Sequence, residues 1–359
     1  MSIKGHISKV NRLAAEIARP VKIMEVCGTH TMAAFRSGLR SLLPANVSLL
    51  SGPGCPVCVT PNGYLDKAIA IARRPDTIVA TFGDMVRVPG SESSLEYARA
   101  QGASIRIVYS PAEALEEAVA NRLRQVVFLG IGFETTIPGI AWTIKEAAQK
   151  NITNYSVLCG HKIIPPAMEA LLQGKVGIDG FMCPGHVSVI IGANAYKPLC
   201  SSYHIPCVVT GFEPFDMIVG IKMLLKQIND NQSTVEIQYA RSVTEQGNQS
   251  AQQLIDEVFE VCDTSWRGVG TIPDSGLRIR EKFSAHDSEK KFTDLEVPET
   301  REHPGCICGE ILRGMKTPCD CGLFRKACTP ATPVGACMVS SEGTCAAYYK
   351  YAKMDSLPE

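Results

Sequence analysis

Gln125-Val-Val-Phe-Leu-Gly-Ile-Gly-Phe-Glu-Thr-Thr-Ile-Pro-Gly-Ile-Ala-Trp-Thr-Ile-Lys-Glu-Ala-Ala-Gln149 sets a short apolar run, a glycine-broken turn and an amphipathic stretch in direct succession. The run from Gln125 to Leu129 has the length and β-branched content of a buried strand, and Ile140 to Gln149 has helical spacing. The same unit recurs on both sides. Strands are expected from Val21 to Val26, Val47 to Leu50, Thr77 to Phe82, Ile105 to Tyr109, Tyr155 to Cys159, Ile178 to Met182 and Cys207 to Thr210. Helices are expected from Gly63 to Arg73, Ala112 to Arg122 and Pro166 to Gln173. Strands alternating with helices imply parallel sheets joined by crossovers, so the fold class is α/β.

A weak echo at an offset of about 130 residues bears on domain count. Cys27-Gly28 matches Cys159-Gly160, Pro53-Gly54-Cys55 matches Pro184-Gly185-His186, and Phe82-Gly83-Asp84 falls near Gly211-Phe212-Glu213. Two similar parallel-sheet α/β domains are therefore expected over 20–120 and 121–213. After Glu213 the character changes. Pro214 to Ile228 and Gln252 to Val261 read as helices, and Ser284 to Pro304 reads as a charged surface loop. A third, mainly helical and loop domain is expected over 214–359, completed by 1–19 with its helix from Ser8 to Ala18.

The 359 residues are 45% hydrophobic and 20% charged, the balance of a globular chain with room for two or three cores. Lys+Arg and Asp+Glu both total 36, so no basic field favours nucleic acid as a partner. The N-terminus has no apolar core of a signal peptide and no later run is long enough to cross a bilayer, so a cytoplasmic protein without a membrane partner is expected. In a reducing compartment, 15 cysteines point to metal ligation or redox chemistry more than to a disulfide framework.

Those cysteines fall into two groups. Cys306-x-Cys308, Cys319-x-Cys321 and Cys328, followed by Cys337 and Cys345, have the density of a metal cluster site. A [4Fe-4S] cluster needs four of the seven; zinc is the alternative metal. Far upstream, Cys27 ends a strand and is followed by Gly28 and His30. A thiol in such a turn is a candidate nucleophile or ligand, or else a small buried residue beside a satisfied histidine. Cys55-Pro56-Val57-Cys58 puts two thiols at i and i+3, where they can form a disulfide or share a soft metal. Glu134, Thr135 and Thr136 open a helix and read as caps as well as candidate catalytic groups. His186, in Cys183-Pro184-Gly185-His186, is open to three roles: ligand, acid–base group or hydrogen-bonded structure.

Met24-Glu25-Val26-Cys27-Gly28-Thr29-His30-Thr31, Gly52 to Cys58, Gly132 to Thr136, Pro184 to Ser188, and Met338-Val339-Ser340-Ser341-Glu342-Gly343-x-Cys345 together resemble the hydrogenase maturation factor HypD family. The motifs run in that family's order from residue 24 into the tail. The resemblance implies a protein that works with the small partner HypC to hold an iron atom while its cyanide and carbon monoxide ligands are installed. HypE delivers the cyanide, and the Fe(CN)2CO unit then passes to the large subunit of a [NiFe]-hydrogenase. It implies Cys27 as an iron ligand with His30 beside it, and Cys55 and Cys58 as a thiol pair for electron transfer, cyanide handling or metal binding. It further implies Cys308, Cys321, Cys328 and Cys345 as the cluster ligands, with Cys306, Cys319 and Cys337 as neighbouring thiols.

Three classes compete on this reading: an Fe(CN)2CO assembly scaffold, a free-standing iron–sulfur thiol–disulfide oxidoreductase, and a zinc-stabilised α/β binding module. Infrared spectroscopy separates them, because metal-bound cyanide and carbon monoxide absorb where protein does not.

Overall fold

The computed structural model describes residues 3–174 and 177–352. Nine strands of the described residues form two parallel sheets. They are β1 (Val21–Glu25), β2 (Val47–Ser51), β3 (Thr77–Thr81), β4 (Ile105–Ile107), β5 (Gln125–Gly130), β6 (Tyr155–Cys159), β7 (Gly180–Pro184), β8 (Cys207–Thr210) and β9 (Val235–Ile237). The first sheet runs β2-β1-β7-β8-β9 and the second β4-β3-β5-β6. Every pairing in both is parallel, so the α/β class read from alternation holds. All five residues of β3 are buried, as parallel strands covered on both faces require.

The sheets are not sequential, and this corrects the division at residue 120. The chain lays down β1 and β2, leaves to build the whole second sheet from β3 to β6, and returns to the first at β7, which pairs with β1 through Ile23↔Gly180. The 130-residue echo fails for the same reason. It maps β1 onto β6 in the other sheet, but β2 onto β7 in its own. What the echo registers is the glycine turn shared by the carboxyl ends of parallel strands, not a duplicated domain.

The boundary at Pro214 is corrected too. The helix Pro214–Asn229 buries Met217, Ile218, Ile221 and Leu225 against Met182 and Val208 of the first sheet and against Val10 and Ala14 of the N-terminal helix Ile3–Glu16. These helices and β9 complete the first sheet. Nor is the following segment mainly helical. The helix Gln249–Val258 ends where β10 (Phe259–Trp266) begins, and β10 pairs antiparallel with β11 (Gly270–Ile279). Phe259-Glu-Val-Cys-Asp-Thr-Ser-Trp266 has buried residues at its two ends and alternates between partly buried and exposed positions in between, the period of a strand. Phe259, Leu277 and Ile279 join Phe128, Ile144 and Tyr155 in the core behind the second sheet.

A larger core lies between the sheets, where Val26, Val79, Leu129, Phe181 and Val209 meet Trp266, Cys58, Cys308 and Cys337. The cysteine-rich tail is thus packed into the body of the molecule. No helix among the described residues is long and apolar enough to cross a membrane.

Candidate thiol and metal site

Cys27 follows the last residues of β1 and stands as the N-cap of the helix Gly28–Arg36, with extended backbone. Glu25 anchors that turn. It is fully buried, accepts from the Thr31 hydroxyl at 2.8 Å and pairs with Arg40 at 3.0 Å, so it ties the strand end to the following helix. A Cβ on Gly28 would lie 2.4 Å from the carbonyl oxygen of Glu342, and one on Gly54 would lie 2.3 Å from the Cys27 nitrogen. Only glycines allow the tail and the Cys55 loop to close this tightly on Cys27. Thr29 Oγ1 donates to Glu342 Oε1 at 2.6 Å. Burial, and then the charge of Glu342, pushes the Cys27 thiol up to about 12. The Thr29 hydroxyl and the N–H groups of Thr29 and His30 pull the other way without closing a cap hydrogen bond. Without a cation the group is a neutral thiol; a bound metal would make it a thiolate.

His30 is wholly buried. Its Nε2 donates to the carbonyls of Thr210 and Gly211 at 3.2 and 3.1 Å, which leaves Nδ1 as an acceptor with no partner among the described residues. Burial holds it down to about 4, so it is a neutral imidazole. The ring stacks on Phe212, which in turn packs against the exposed ring of His186 with centroids 4.0 Å apart. Burial lowers His186 as well, opposed by the charge of Glu342. Cys27, His30, Phe212, His186 and Glu342 therefore gather at the carboxyl ends of β1, β7 and β8, where open parallel sheets place ligands.

Cys55 and Cys58 sit at the N-cap and third position of the short helix Pro56–Val59, with sulfurs 2.6 Å apart. Both are buried, and Gly28 N–H donates to Gly54 O at 3.0 Å, so the pair lies beside the Cys27 turn. The Cys55 thiol donates to Ser340 Oγ at 3.2 Å, and that hydroxyl donates to Asp84 at 3.3 Å. Burial, and then contacts with Cys337 and Cys55, pushes the Cys58 thiol far up.

Cys337 in turn contacts Cys308, with sulfurs 2.7 Å apart. A continuous file of thiols thus joins the upstream pair to the tail. There Cys306, Cys308, Cys321, Cys328, Cys337 and Cys345 line one otherwise apolar pocket with Ile311, Leu323, Phe324 and Met338. Cys319 lies outside it. Among the described residues, no three His, Cys, Asp or Glu side chains stand in a preformed metal-ligand array.

Glu134, Thr135 and Thr136 divide. Thr135 is exposed and Thr136 donates to the Phe133 carbonyl at 3.0 Å, a turn contact. Glu134 Oε1 accepts from the N–H of Ile164, the first residue of the helix Ile164–Leu172, so it caps a helix, though a later one than its own sequence position suggests. Its Oε2 is buried with no hydrogen-bond partner among the described residues, and burial pushes the carboxyl up to about 7. Because burial favours the neutral acid, its contribution to stability is full below the unfolded value near 4.5 and is lost as pH rises through about 7, a change on the order of 3 kcal/mol. Glu134→Gln keeps the capping acceptor and is expected to flatten that slope. Urea unfolding of wild type and variant at about pH 5 and about pH 8 measures it as the difference between the two proteins, because the buried neutral His30 and His161 change stability in the opposite sense; a difference that does not change with pH would exclude a neutral Glu134.

Glu342, Ser340 and Asp84 appear in the sequence only as members of motifs; their approach to Cys27 and Cys55 comes from the fold. The signal was the Ser-Ser-Glu-Gly run between Cys337 and Cys345.

The fold and the site define a cysteine-rich α/β protein with a turn thiol, a dithiol and a six-thiol pocket in one connected region. The chain belongs to the HypD family: the family model described as "Hydrogenase formation hypA family" matches residues 2–352. It is 49% identical over 352 residues to the hydrogenase maturation factor HypD of Azotobacter vinelandii, covering 95% of this chain and 93% of that protein. It is likewise 49% identical to the hydrogenase expression/formation protein HupD of Azotobacter chroococcum, with the same coverage. With the hydrogenase maturation factor HypD of Cupriavidus necator it shares 47% identity over 362 residues, 97% of this chain and 95% of the relative. A role in hydrogenase maturation follows from that membership.

Proposed function

We propose that this chain is the scaffold on which an iron atom, its cargo, acquires cyanide and carbon monoxide ligands. HypC is its partner on the iron, HypE the cyanide donor, and the [NiFe]-hydrogenase large subunit the indirect recipient. The observation that carries the proposal is the turn at Cys27. One partly exposed thiol is flanked by Glu342 and Thr29, and the buried dithiol lies one loop away. Iron with carbon ligands is soft and favours thiolate, so Cys27 supplies one ligand and leaves positions free for a partner's ligand and for the incoming groups. Neutral His30 shapes the wall of the site through Phe212 and is not itself charged. Infrared spectroscopy of the complex with HypC, purified anaerobically, tests this. Bands of metal-bound cyanide and carbon monoxide are expected, and their absence from iron-loaded complex would overturn the proposal.

Six sulfur donors around an otherwise apolar pocket, with no acidic or imidazole side chain lining it among the described residues, support a [4Fe-4S] cluster as its occupant. Cys308, Cys321, Cys328 and Cys345 would hold it, with Cys306 and Cys337 beside them. When bound, such a cluster supplies electrons one at a time. Zinc-loaded, colourless anaerobic protein would favour the binding-module reading instead.

Contact between Cys58 and Cys337 also supports thiol redox chemistry, the ground shared with the oxidoreductase reading. Treated with a small disulfide, Cys55 and Cys58 are expected to form one S–S bond, giving up two protons and two electrons as the reagent leaves as two thiols. Alkylation mapped by mass spectrometry should find both thiols protected together after oxidation and both modified after reduction. Independent modification under both conditions would reduce them to separate ligands.

A further inference from the structure

Arg267 is a buried guanidinium with no ion pair among the described residues. It directly follows β10, is 5% exposed, and donates from Nε to the Thr60 carbonyl at 2.8 Å while its backbone N–H donates to Val59 O at 2.8 Å. Its Nη2 has no hydrogen-bond partner among the described residues. A fixed cation in this position is costly unless an anion compensates it.

The acidic and thiol groups that share a cavity with Arg267 are Glu302, which forms no ion pair with it among the described residues, and the cysteines Cys306 and Cys308. Arg267 lines a cavity of about 450 Å³ together with Cys306 and Cys308, and both cysteines also line the six-thiol pocket, so the cavities share a wall. The next residue, Gly268, packs on Gly309, where a Cβ would lie 2.2 Å from the Gly309 Cα. A metal that converts Cys308 and its neighbours to thiolates places negative charge on the wall that Arg267 shares with them.

We infer that Arg267 is the counter-ion of the thiolate-held iron–sulfur cluster and raises its reduction potential; this rests on the iron–sulfur reading above. A cluster with four thiolates is a net anion and gains a further negative charge with each electron, so a buried cation stabilises the reduced form more than the oxidised one. The other cation on this cavity, Arg301, is 69% exposed at its side chain and paired with Glu299, so solvent screens it.

The test is a dithionite titration of anaerobically reconstituted full-length protein, followed by visible bleaching and by electron paramagnetic resonance of the reduced cluster. Arg267→Gln is expected to keep the cluster but lower its reduced-to-oxidised ratio at fixed potential about tenfold, equal to about 59 mV for one electron. Arg267→Lys should recover most of that shift, and Arg301→Gln should leave the midpoint in place. Unchanged titration of the glutamine variant overturns the inference. If the glutamine variant loses the cluster and the lysine variant keeps it, the need is for charge and the inference stands. If both lose it, Arg267 acts only through the bond from its Nε to the Thr60 carbonyl, and the inference falls. Wild-type protein that takes up no cluster fails at an earlier point, because it overturns the iron–sulfur reading and removes the counter-ion role with it.

Discussion

Replacing Cys27 with alanine is expected to abolish the iron-bound cyanide and carbon monoxide bands of the complex with HypC while the fold survives. The sulfur closes no cap hydrogen bond, and the strand end is held independently by Glu25 with Thr31 and Arg40. The substitution removes a ligand and little packing, so the stability change should stay near about 1 kcal/mol. The loss of bands should be essentially complete, because a single protein thiolate leaves no substitute in the turn. Cys27→Ser is the companion variant, since a harder oxygen should hold soft iron poorly. Normal bands in either variant would remove Cys27 from the iron's ligands. A variant that unfolds would be recognised by circular dichroism before any spectroscopy of the metal.

The second large effect concerns the tail. Single alanine replacements of Cys308, Cys321, Cys328 or Cys345 are expected to remove most of the broad visible absorption of a [4Fe-4S] cluster and to loosen the tail, because metal binding and local folding are linked. Cys319→Ala is the control, since Cys319 lies outside the pocket, and its colour should match the wild type. Cys306 and Cys337 line the pocket without belonging to the expected ligand set, and their alanine variants should keep most of the colour. Bleaching by Cys337→Ala with full colour in Cys328→Ala would reassign the ligands.

Much of the local structure was legible from the chain. Tyr155 to Cys159 and Cys207 to Thr210 were read with the bounds they have in the structure, because a short β-branched run between turn residues carries its own signal. β10 was not. Its first residues, Phe259 to Val261, extend a helical pattern whose helix stops at Val258, and the pairing of β10 with β11 that decides between the two periods lies outside the window. Glu134 was legible as a cap, but the helix it caps begins 30 residues later.

What the sequence by itself determined was the parallel α/β class, the turn at Cys27, the Cys55/Cys58 pair and the density of tail thiols. Each depends on residues within about one turn or strand of one another, where propensity and spacing act. Only the tertiary structure decided that the sheets interleave, so that β1 pairs with β7 and the domains cannot be cut at residue 120. It also decided that Glu342 closes on Thr29, that Ser340 stands between Cys55 and Asp84, that Cys337 touches both thiol groups, and that Arg267 is buried beside Cys306 and Cys308. These contacts span up to hundreds of residues. They arise from burying one apolar core between two sheets, and no local pattern encodes which distant loop that burial will bring against which.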